Sequence, residues 1–307
     1  MANVPVPRIW TVGDLLQWTT EFFKKKNIDE PRLSAELLLA HAMQCQRMQL
    51  YMQYERVPAE GQLTGFREMV KQRSEHVPVA YLIGKSWFFS LEFAVTREVL
   101  IPRPDTETLV EHTIQRLRQT PGWEAPQILD LCTGSGCIAV ALAKNMPNAH
   151  VVAVDISVKA LEVARQNAQT HKVEERVTFL AGDLLVPVGG LLPPRKFHAL
   201  VSNPPYIPTG ELAGLMAEVR EHEPRMALDG GADGLDFHRR ILLEKHGSEG
   251  VTAVELLEAG ALVLLEIAYN EAEEAQKVFA QAGYLENIKL LRDAGGNPRC
   301  VIATKIK

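Results

Sequence analysis

The hydrophobic pattern predicts a helical segment at the start of the chain. Up to about residue 85, apolar residues recur at helical spacing, and the first group consists of Leu15, Leu16, Trp18, Phe22 and Phe23. We predict helices that begin after the N-cap Thr11, with Asp14 completing a capping box, then at Asp29-Glu30-Pro31, and after Pro58. We interpret His41 as a histidine packed in the core of this segment.

The pattern then changes to short apolar runs that alternate with helical stretches. Runs of strand length occupy residues 128–132, 151–155, 177–180, 197–202, 261–267, 288–291 and 300–304. They predict an α/β fold of the Rossmann-like type, with a mostly parallel seven-stranded sheet and an antiparallel hairpin at its edge. A smaller hairpin is predicted at 87–95. We expect a helical substrate-recognition domain at 1–85, a hairpin linker or tether at 86–104 and a Rossmann-like domain at 105–307.

Composition narrows the class of protein. The chain has 307 residues and a formal net charge of −5, so it lacks the basic excess of a general nucleic-acid binder. Its four cysteines form no C-x-x-C pair, which is typical of reduced thiols in a cytosolic protein and not of a zinc site. The apolar runs are too short for a transmembrane helix, and Met1 to Arg8 lack the apolar core of an import signal. We therefore expect a cytoplasmic location, no membrane partner and no metal.

The first candidate chemistry is in Asn203-Pro204-Pro205-Tyr206, directly after the apolar run 197–202. Two prolines prevent the strand from continuing, and the residue before a proline is held in extended geometry at the carboxyl end of the strand. If the Asn203 side-chain oxygen and the Pro204 carbonyl accept the two N–H bonds of a planar nitrogen, that nitrogen becomes more electron-rich and is fixed in place. Tyr206 can pack on the flat face of the group. The alternative is that the two prolines only end a strand.

The second candidate for chemistry is a glycine-rich loop. Thr133-Gly134-Ser135-Gly136 follows the strand at 128–132 and lets the backbone approach a ligand closely. Asp155 ends the next strand 19 positions after Gly136, close to the offset expected for a carboxylate that binds ribose hydroxyls. Asp183 and Leu184 end the third strand, where an adenine would lie. The loop also fits a dinucleotide pattern, but Asp130 within the strand and the 203–206 turn favour S-adenosylmethionine over NAD.

With these motifs the sequence resembles the HemK/PrmC family, the protein-(glutamine-N5) methyltransferases of class I peptide chain release factors. The resemblance runs through nearly the whole chain and rests on four stretches, residues 101–107, 130–136, 203–206 and 219–231. Cys132 stands where the family usually has glycine. Asn-Pro-Pro-Tyr alone is shared with adenine-N6 methyltransferases of nucleic acids, whereas the Ile-Pro-Arg-Pro-Asp-Thr-Glu tether at 101–107 argues against the related ribosomal-protein glutamine methyltransferases.

The resemblance implies a class I S-adenosylmethionine-dependent methyltransferase, with the helical domain docked on the release factor and the Gly-Gly-Gln glutamine placed on the 203–206 turn. It implies a cofactor site made by Cys132, Thr133, Gly134, Ser135, Gly136, Asp155, Asp183, Leu184 and Asn203. The substrate amide would be held by Asn203, Pro204 and Tyr206, with Arg103 and Glu107 as further pocket-lining groups. The other reading of the 101–107 tether is a rigid connector with a capped helix.

Some alternatives stay open at this point. Residues 221–225 either order over the site or form an exposed, salt-bridged loop. The function could instead be that of a nucleic-acid adenine-N6 methyltransferase, a ribosomal-protein glutamine methyltransferase or a non-catalytic S-adenosylmethionine-binding module. We expect no direct contact with nucleic acid.

Overall fold

The computed structural model describes residues 9–191, 196–293 and 295–306. Met1 to Arg8, considered above for an import signal, lie outside these ranges. Within them the chain divides into two compact units. One runs as far as Gly84 and includes Ala217–His222, and the other comprises Lys85–Met216 and the chain from Glu223 onward. Residues 86–104 therefore belong to the second unit, and the sequence did not indicate that Ala217–His222 belong to the first.

The secondary structure of the described residues is as follows. The α-helices are α1 (Val12–Lys25), α2 (Pro31–Ala42), α3 (Arg47–Met52), α4 (Glu60–Ser74), α5 (Val79–Ile83), α6 (Glu107–Gln119), α7 (Cys137–Asn145), α8 (Val158–Thr170), α9 (Val186–Gly189), α10 (Ala217–His222), α11 (Asp236–Leu243), α12 (Ala253–Leu256) and α13 (Ala272–Gln281). The β-strands are β1 (Lys85–Phe88), β2 (Leu91–Ala94), β3 (Gln127–Leu131), β4 (His150–Asp155), β5 (Val177–Ala181), β6 (Phe197–Ser202), β7 (Leu257–Glu266), β8 (Leu285–Arg292) and β9 (Pro298–Lys305). Short 3-10 helices lie at Pro104–Thr106, Glu174–Arg176, Thr209–Gly214 and Arg225–Ala227.

The helical unit has the predicted first helix with its cap. The Asp14 N–H donates to the Thr11 hydroxyl at 3.2 Å, and the Thr11 N–H donates back to the Asp14 carboxylate at 3.1 Å, which confirms the capping box. Pro31 is the first residue of α2, as predicted. The short helices α3 and α5 were not predicted. The interpretation of His41 is wrong, because its side chain is exposed near the end of α2.

The second unit is built on a seven-stranded sheet in the order β5-β4-β3-β6-β7-β9-β8. The strands from β5 to β7 run parallel, and β9 is antiparallel to both of its neighbours, which confirms the predicted edge hairpin. One face of the sheet packs against α6, α7 and the β1–β2 hairpin, and the other packs against α11, α12 and α13. Both faces are covered, so the parallel strands read as continuous apolar runs.

Strand register positions the candidate site. Along the chain, β3 is followed outward by β4 and β5, and the chain then returns to place β6 on the other side of β3. Such a reversal opens a crevice at the carboxyl ends of the strands. Leu131 lies opposite Ser202, and Ser202 lies opposite Leu265. The residues that follow on these three strands therefore emerge side by side at one edge of the sheet.

Candidate active site

A cavity in the second unit lies at the carboxyl edge of the parallel strands. The predicted site residues that line it are Cys132, Gly134, Asp155, Asp183, Leu184, Asn203 and Pro205. The rest of its wall includes residues 98–100, which precede the 101–107 stretch, and Pro224, Met226 and Ala227. The structure thus brings the glycine-rich loop, the ends of β4 and β5, and the 203–206 turn to one space.

Asp155 is held in place by backbone groups. Its Oδ2 accepts the Gly134 N–H at 2.8 Å, and its Oδ1 accepts the Ser157 N–H at 2.9 Å. Burial raises the pKa of Asp155, against the lowering effect of these backbone hydrogen bonds. Gly134 has φ +55° and no atom within 4 Å of the position where a Cβ would lie. The loop therefore presents bare backbone and an anchored carboxylate to the cavity.

The rear of the loop is fixed by buried side chains. Thr133 donates from its hydroxyl to the Asp130 carboxyl at 2.6 Å, and burial raises the pKa of Asp130 to about 7. Asn167 of α8 donates to the Ser135 carbonyl at 2.9 Å and exchanges two further hydrogen bonds with the backbone of β2. Gly136 caps α7 at φ +78°, and a Cβ there would approach Ala164 at 3.0 Å. Within the loop, the side chains of Thr133 and Ser135 are buried and do not line the cavity.

Two cavity residues have left-handed backbone conformations although neither is glycine. Cys132 has φ +57° and Leu184 has φ +47°. This region is costly for a residue with a Cβ, and such conformations are concentrated at functional sites. A glycine at the position of Cys132 would adopt this backbone without strain.

The β5 end of the cavity combines charge with an apolar surface. Asp183 forms an ion pair with Arg240 of α11 at 2.5 Å. The Arg240 guanidinium also lies 5.4 Å from the centre of the Phe237 ring. Asp183, Leu184, Phe237 and Arg240 all line the cavity, so this end offers an oriented carboxylate beside an aromatic face.

The 203–206 turn is tied to two neighbouring elements. Asn203 donates from Nδ2 to the Thr106 hydroxyl oxygen at 3.1 Å. The Tyr206 hydroxyl donates to Glu266 Oε1 at 3.3 Å, and burial raises the pKa of Tyr206 well above its usual range, so the phenol stays protonated. Pro204 is buried, and neither Pro204 nor Tyr206 lines the cavity.

A second loop, residues 228–234, packs against the 203–206 turn. The Ile207 N–H donates to the Leu228 carbonyl at 2.9 Å, and the Gly230 N–H donates to the Ile207 carbonyl at 2.8 Å. A Cβ at Gly230 would lie 2.6 Å from the Tyr206 Cα, and one at Gly234 would lie 2.4 Å from the Tyr206 carbonyl oxygen. Only glycine lets the two backbones approach this closely.

The predicted pocket residues of the tether are engaged elsewhere. Arg103 forms an ion pair with the buried carboxylate of Glu223, which also accepts the Ile101 N–H at 3.2 Å. Glu107 accepts the Phe89 N–H at 2.8 Å and so fastens the β1–β2 turn to the start of α6. Neither Arg103 nor Glu107 lines the cavity. Glu221 forms an exposed ion pair with Arg220, whereas Pro224, Met226 and Ala227 form part of the cavity wall.

Sequence reasoning gave no role in the site to Thr106, Asn167 or Glu266, and it considered Glu223 only as part of the 221–225 stretch, which was expected either to order over the site or to form an exposed loop. Thr106 was interpreted only as the start of a helix. Glu266 offered a usable signal, since it is a carboxylate at the end of an apolar run next to the strand that carries Asn203. Asn167 gives no local signal, because its partners are distant in sequence. Within the described ranges, no group of three or more His, Cys, Asp or Glu could hold a metal ion.

Comparisons with known proteins identify the family. The chain matches the PrmC N-terminal domain over residues 14–84 and the methyltransferase small domain over residues 105–221. It is 42% identical to the release factor glutamine methyltransferase of Rhodopirellula baltica over 99% of this chain and 100% of that one. It is also 40% identical to the protein of the same name from Chlorobaculum tepidum, over 94% and 96% of the two chains. The chain belongs to the release factor glutamine methyltransferase family.

The fold of this family member also has a solved counterpart. The crystal structure of the hMettl16 catalytic domain in complex with the MAT2A 3′UTR hairpin 6 aligns with a TM-score of 0.52 and 15% identity, over 71% of this chain and 77% of that one. At this identity the likeness supports the methyltransferase fold alone. The described residues include no helix of the length and apolarity that a membrane span requires.

Proposed function

We propose that the chain transfers a methyl group to the side-chain amide nitrogen of the glutamine in the Gly-Gly-Gln motif of class I peptide chain release factors. The observation that carries this proposal is the register of β3 and β6, in which Leu131 lies opposite Ser202. The nucleoside-binding loop and the amide-binding turn start from these two positions and share one cavity. The full-length relatives support the choice of a release factor as substrate.

The cofactor is S-adenosylmethionine, which supplies an electrophilic methyl group when bound. The residues of the cavity fit it. Asp155 can accept hydrogen bonds from ribose hydroxyls, because a carboxylate has lone pairs left after binding two backbone N–H groups. Leu184 and Phe237 offer an apolar surface to an adenine, and Asp183 can accept from its amino group. The open side of Gly134 leaves room for close backbone contact.

The turn prepares the substrate amide for reaction. The Asn203 Oδ1 atom and the Pro204 carbonyl accept its two N–H bonds and orient the nitrogen lone pair toward the cavity. These oxygens interact more strongly as the nitrogen gains positive charge, so they favour the transition state over the ground state. Tyr206 does not line the cavity, so its proposed part is to hold the turn in place through its hydrogen bond to Glu266. No protein base is needed, since a cationic nitrogen loses its proton readily to water.

The helical unit is proposed as the part that recognises the release factor, and the cytoplasm as the place of the reaction. The match of residues 14–84 to the PrmC N-terminal domain supports this role. The unit also has an open apolar groove of about 410 Å³ whose lining includes Trp10, Trp18 and Phe22. Trp18 is 49% exposed, which is unusual for so large an apolar side chain and is typical of protein-binding surfaces.

The test is a methylation assay with a purified class I release factor and labelled donor, followed by mass spectrometry of the Gly-Gly-Gln peptide. We expect one methyl group on the glutamine, and none on a factor in which that glutamine is alanine. A parallel assay uses duplex DNA in place of the release factor. Label in the DNA, or label in the factor that lacks the glutamine, would overturn the proposal.

Asn203→Ala tests the role of the turn. Turnover should fall by about 10²-fold or more, as for loss of an oriented polar group in an active site, while the affinity for S-adenosylmethionine falls less. Asn145→Ala is a suitable control, because the Asn145 side chain donates to the carbonyl of Ala141 in its own helix and has no other hydrogen-bond partner among the described residues. Unchanged turnover in Asn203→Ala would exclude the proposed role.

A further inference from the structure

Asp183 and Arg240 form a polar corner at the β5 end of the cavity. Asp183 Oδ2 accepts a hydrogen bond from Arg240 Nη2 at 2.5 Å, and both residues line the cavity. The other carboxylate oxygen, Oδ1, has no hydrogen-bond partner among the described residues. Because each carboxylate oxygen can accept hydrogen bonds, Oδ1 is available to a ligand that donates an N–H group.

The exposure of this ion pair argues against a role in stability alone. The side chains of Arg240 and Asp183 are 31% and 43% exposed, and ion pairs in contact with water contribute little to the free energy of folding. The pair does restrict the rotation of the Asp183 side chain. An acceptor that is already held in one orientation loses less conformational entropy when a ligand binds.

Arg240 is itself held in place from the side of α11. Its guanidinium carbon lies 5.4 Å from the centre of the Phe237 ring, one turn earlier on the same helix. Its backbone carbonyl accepts a hydrogen bond from His246 Nε2 at 2.7 Å, and the next residue, Ile241, is fully buried. The guanidinium is therefore a fixed donor against which the Asp183 carboxylate can be oriented.

We propose that Arg240 is a positioning residue, which holds Asp183 as the acceptor for the exocyclic amino group of adenine and so determines which purine the cavity accepts. The inference rests on the proposed function, in which Asp183 accepts from this amino group. Adenine has an N–H donor at position 6, whereas hypoxanthine has an oxygen there. A carboxylate can only accept, so an oriented Asp183 favours adenine and disfavours hypoxanthine.

The test is calorimetry of the full chain with S-adenosylhomocysteine and S-inosylhomocysteine, which differ only in the base. The wild type should bind the adenine compound about 10- to 100-fold more tightly, the effect of a hydrogen bond to a charged acceptor. Arg240→Met should reduce this preference by about three- to tenfold, because Asp183 must then be ordered on binding. Arg239→Met is the matched control, since Arg239 pairs with Asp233 and Asp236 and does not line the cavity. It should keep the preference of the wild type.

A double-mutant cycle shows whether Arg240 acts through Asp183. In the Asp183→Ala background, Arg240→Met should leave the ratio of the two affinities unchanged, because the acceptor has been removed. A shift in that background as large as in the wild type would mean that Arg240 contacts the base itself, and would overturn the proposal. Equal affinities of the wild type for the two compounds, or an unchanged preference in Arg240→Met, would also overturn it. Binding requires no release factor, so a factor that stays unmethylated would contradict the proposed function and leave the role of Arg240 to be decided by calorimetry.

Discussion

At the scale of single residues, Cys132 combines a strained backbone with a position in the cavity wall. Its φ of +57° costs a residue with a Cβ on the order of 1 kcal/mol relative to glycine. We expect Cys132→Gly to have a higher free energy of unfolding than Cys132→Ala, which keeps the strain and removes only the thiol. The difference should be about 1 kcal/mol in denaturant unfolding, and both variants should bind S-adenosylmethionine. If Cys132→Gly were the less stable of the two, the strain would be relieved by contacts of the side chain.

Asp155 is the residue on which cofactor affinity should depend most. It organises the loop through Gly134 and Ser157 and is the proposed acceptor for the ribose hydroxyls. Hydrogen bonds to a charged acceptor contribute about 1.5–3 kcal/mol, so Asp155→Ala should weaken S-adenosylmethionine binding by roughly 10- to 100-fold in calorimetry. Glu162→Ala, an exposed position on α8, should bind as the wild type does. Equal affinity in Asp155→Ala and the wild type would contradict the proposed contact.

At the scale of elements, the β1–β2 hairpin has an unusual turn. Phe89 and Ser90 both have positive φ, +50° and +61°, a two-residue turn that favours glycine and asparagine. Ser90 is exposed, so Ser90→Gly should raise the free energy of unfolding by about 0.5–1 kcal/mol. Ser86→Gly in β1 of the same hairpin should lower it, because a strand glycine only adds flexibility to the unfolded chain. Two variants with shifts of the same sign would show that turn strain is not the cause.

This hairpin shows how far the sequence predicts the elements. Apolar runs located the central strands β3, β4 and β6, because each is buried on both faces of the sheet and its composition is decided locally. Phe89 was assigned to a strand, since an aromatic residue has no local signal for a left-handed turn. That turn is stabilised from outside the hairpin, by the bond from the Phe89 N–H to Glu107. The short helices α3 and α5 were missed because a few residues carry too little periodicity.

The residues of the candidate site also differ in whether the local sequence predicts them. Motif positions such as Gly134, Asp155 and Asn203 could be predicted, because local chemistry at the end of a strand defines them. Supports such as Thr106 and Asn167 could not, because each acts through a partner that is brought close only by the folded chain. Sequence periodicity also assigned His41 to the core, but it cannot tell the edge of an apolar stripe from its centre.

At the scale of the whole molecule, three buried carboxyl groups link the stability of the second unit to pH. Burial raises the pKa values of Asp130, Glu266 and Glu271 to about 7 each. Their unfolded values lie near 4, so the folded state binds more protons between these limits. Each group therefore adds stability as the pH falls from 8 toward 5, and this contribution is lost as the pH rises through 7. His238 acts in the opposite direction, because burial lowers its pKa to about 4.

Glu271 isolates one of these contributions, because both of its carboxyl oxygens are buried without a hydrogen-bond partner among the described residues. Glu271→Gln should raise the free energy of unfolding at pH 8, where the wild type carries an unpaired buried charge, and change it little at pH 6. The gain over that interval should be about 1 kcal/mol, measured by hydrogen exchange of the β3 and β6 amides. Glu273→Gln, exposed on α13, should leave the pH dependence unchanged. A gain at pH 6 equal to that at pH 8 would mean that Glu271 is relieved of steric strain and not of charge, because only the ionised carboxylate varies over this interval.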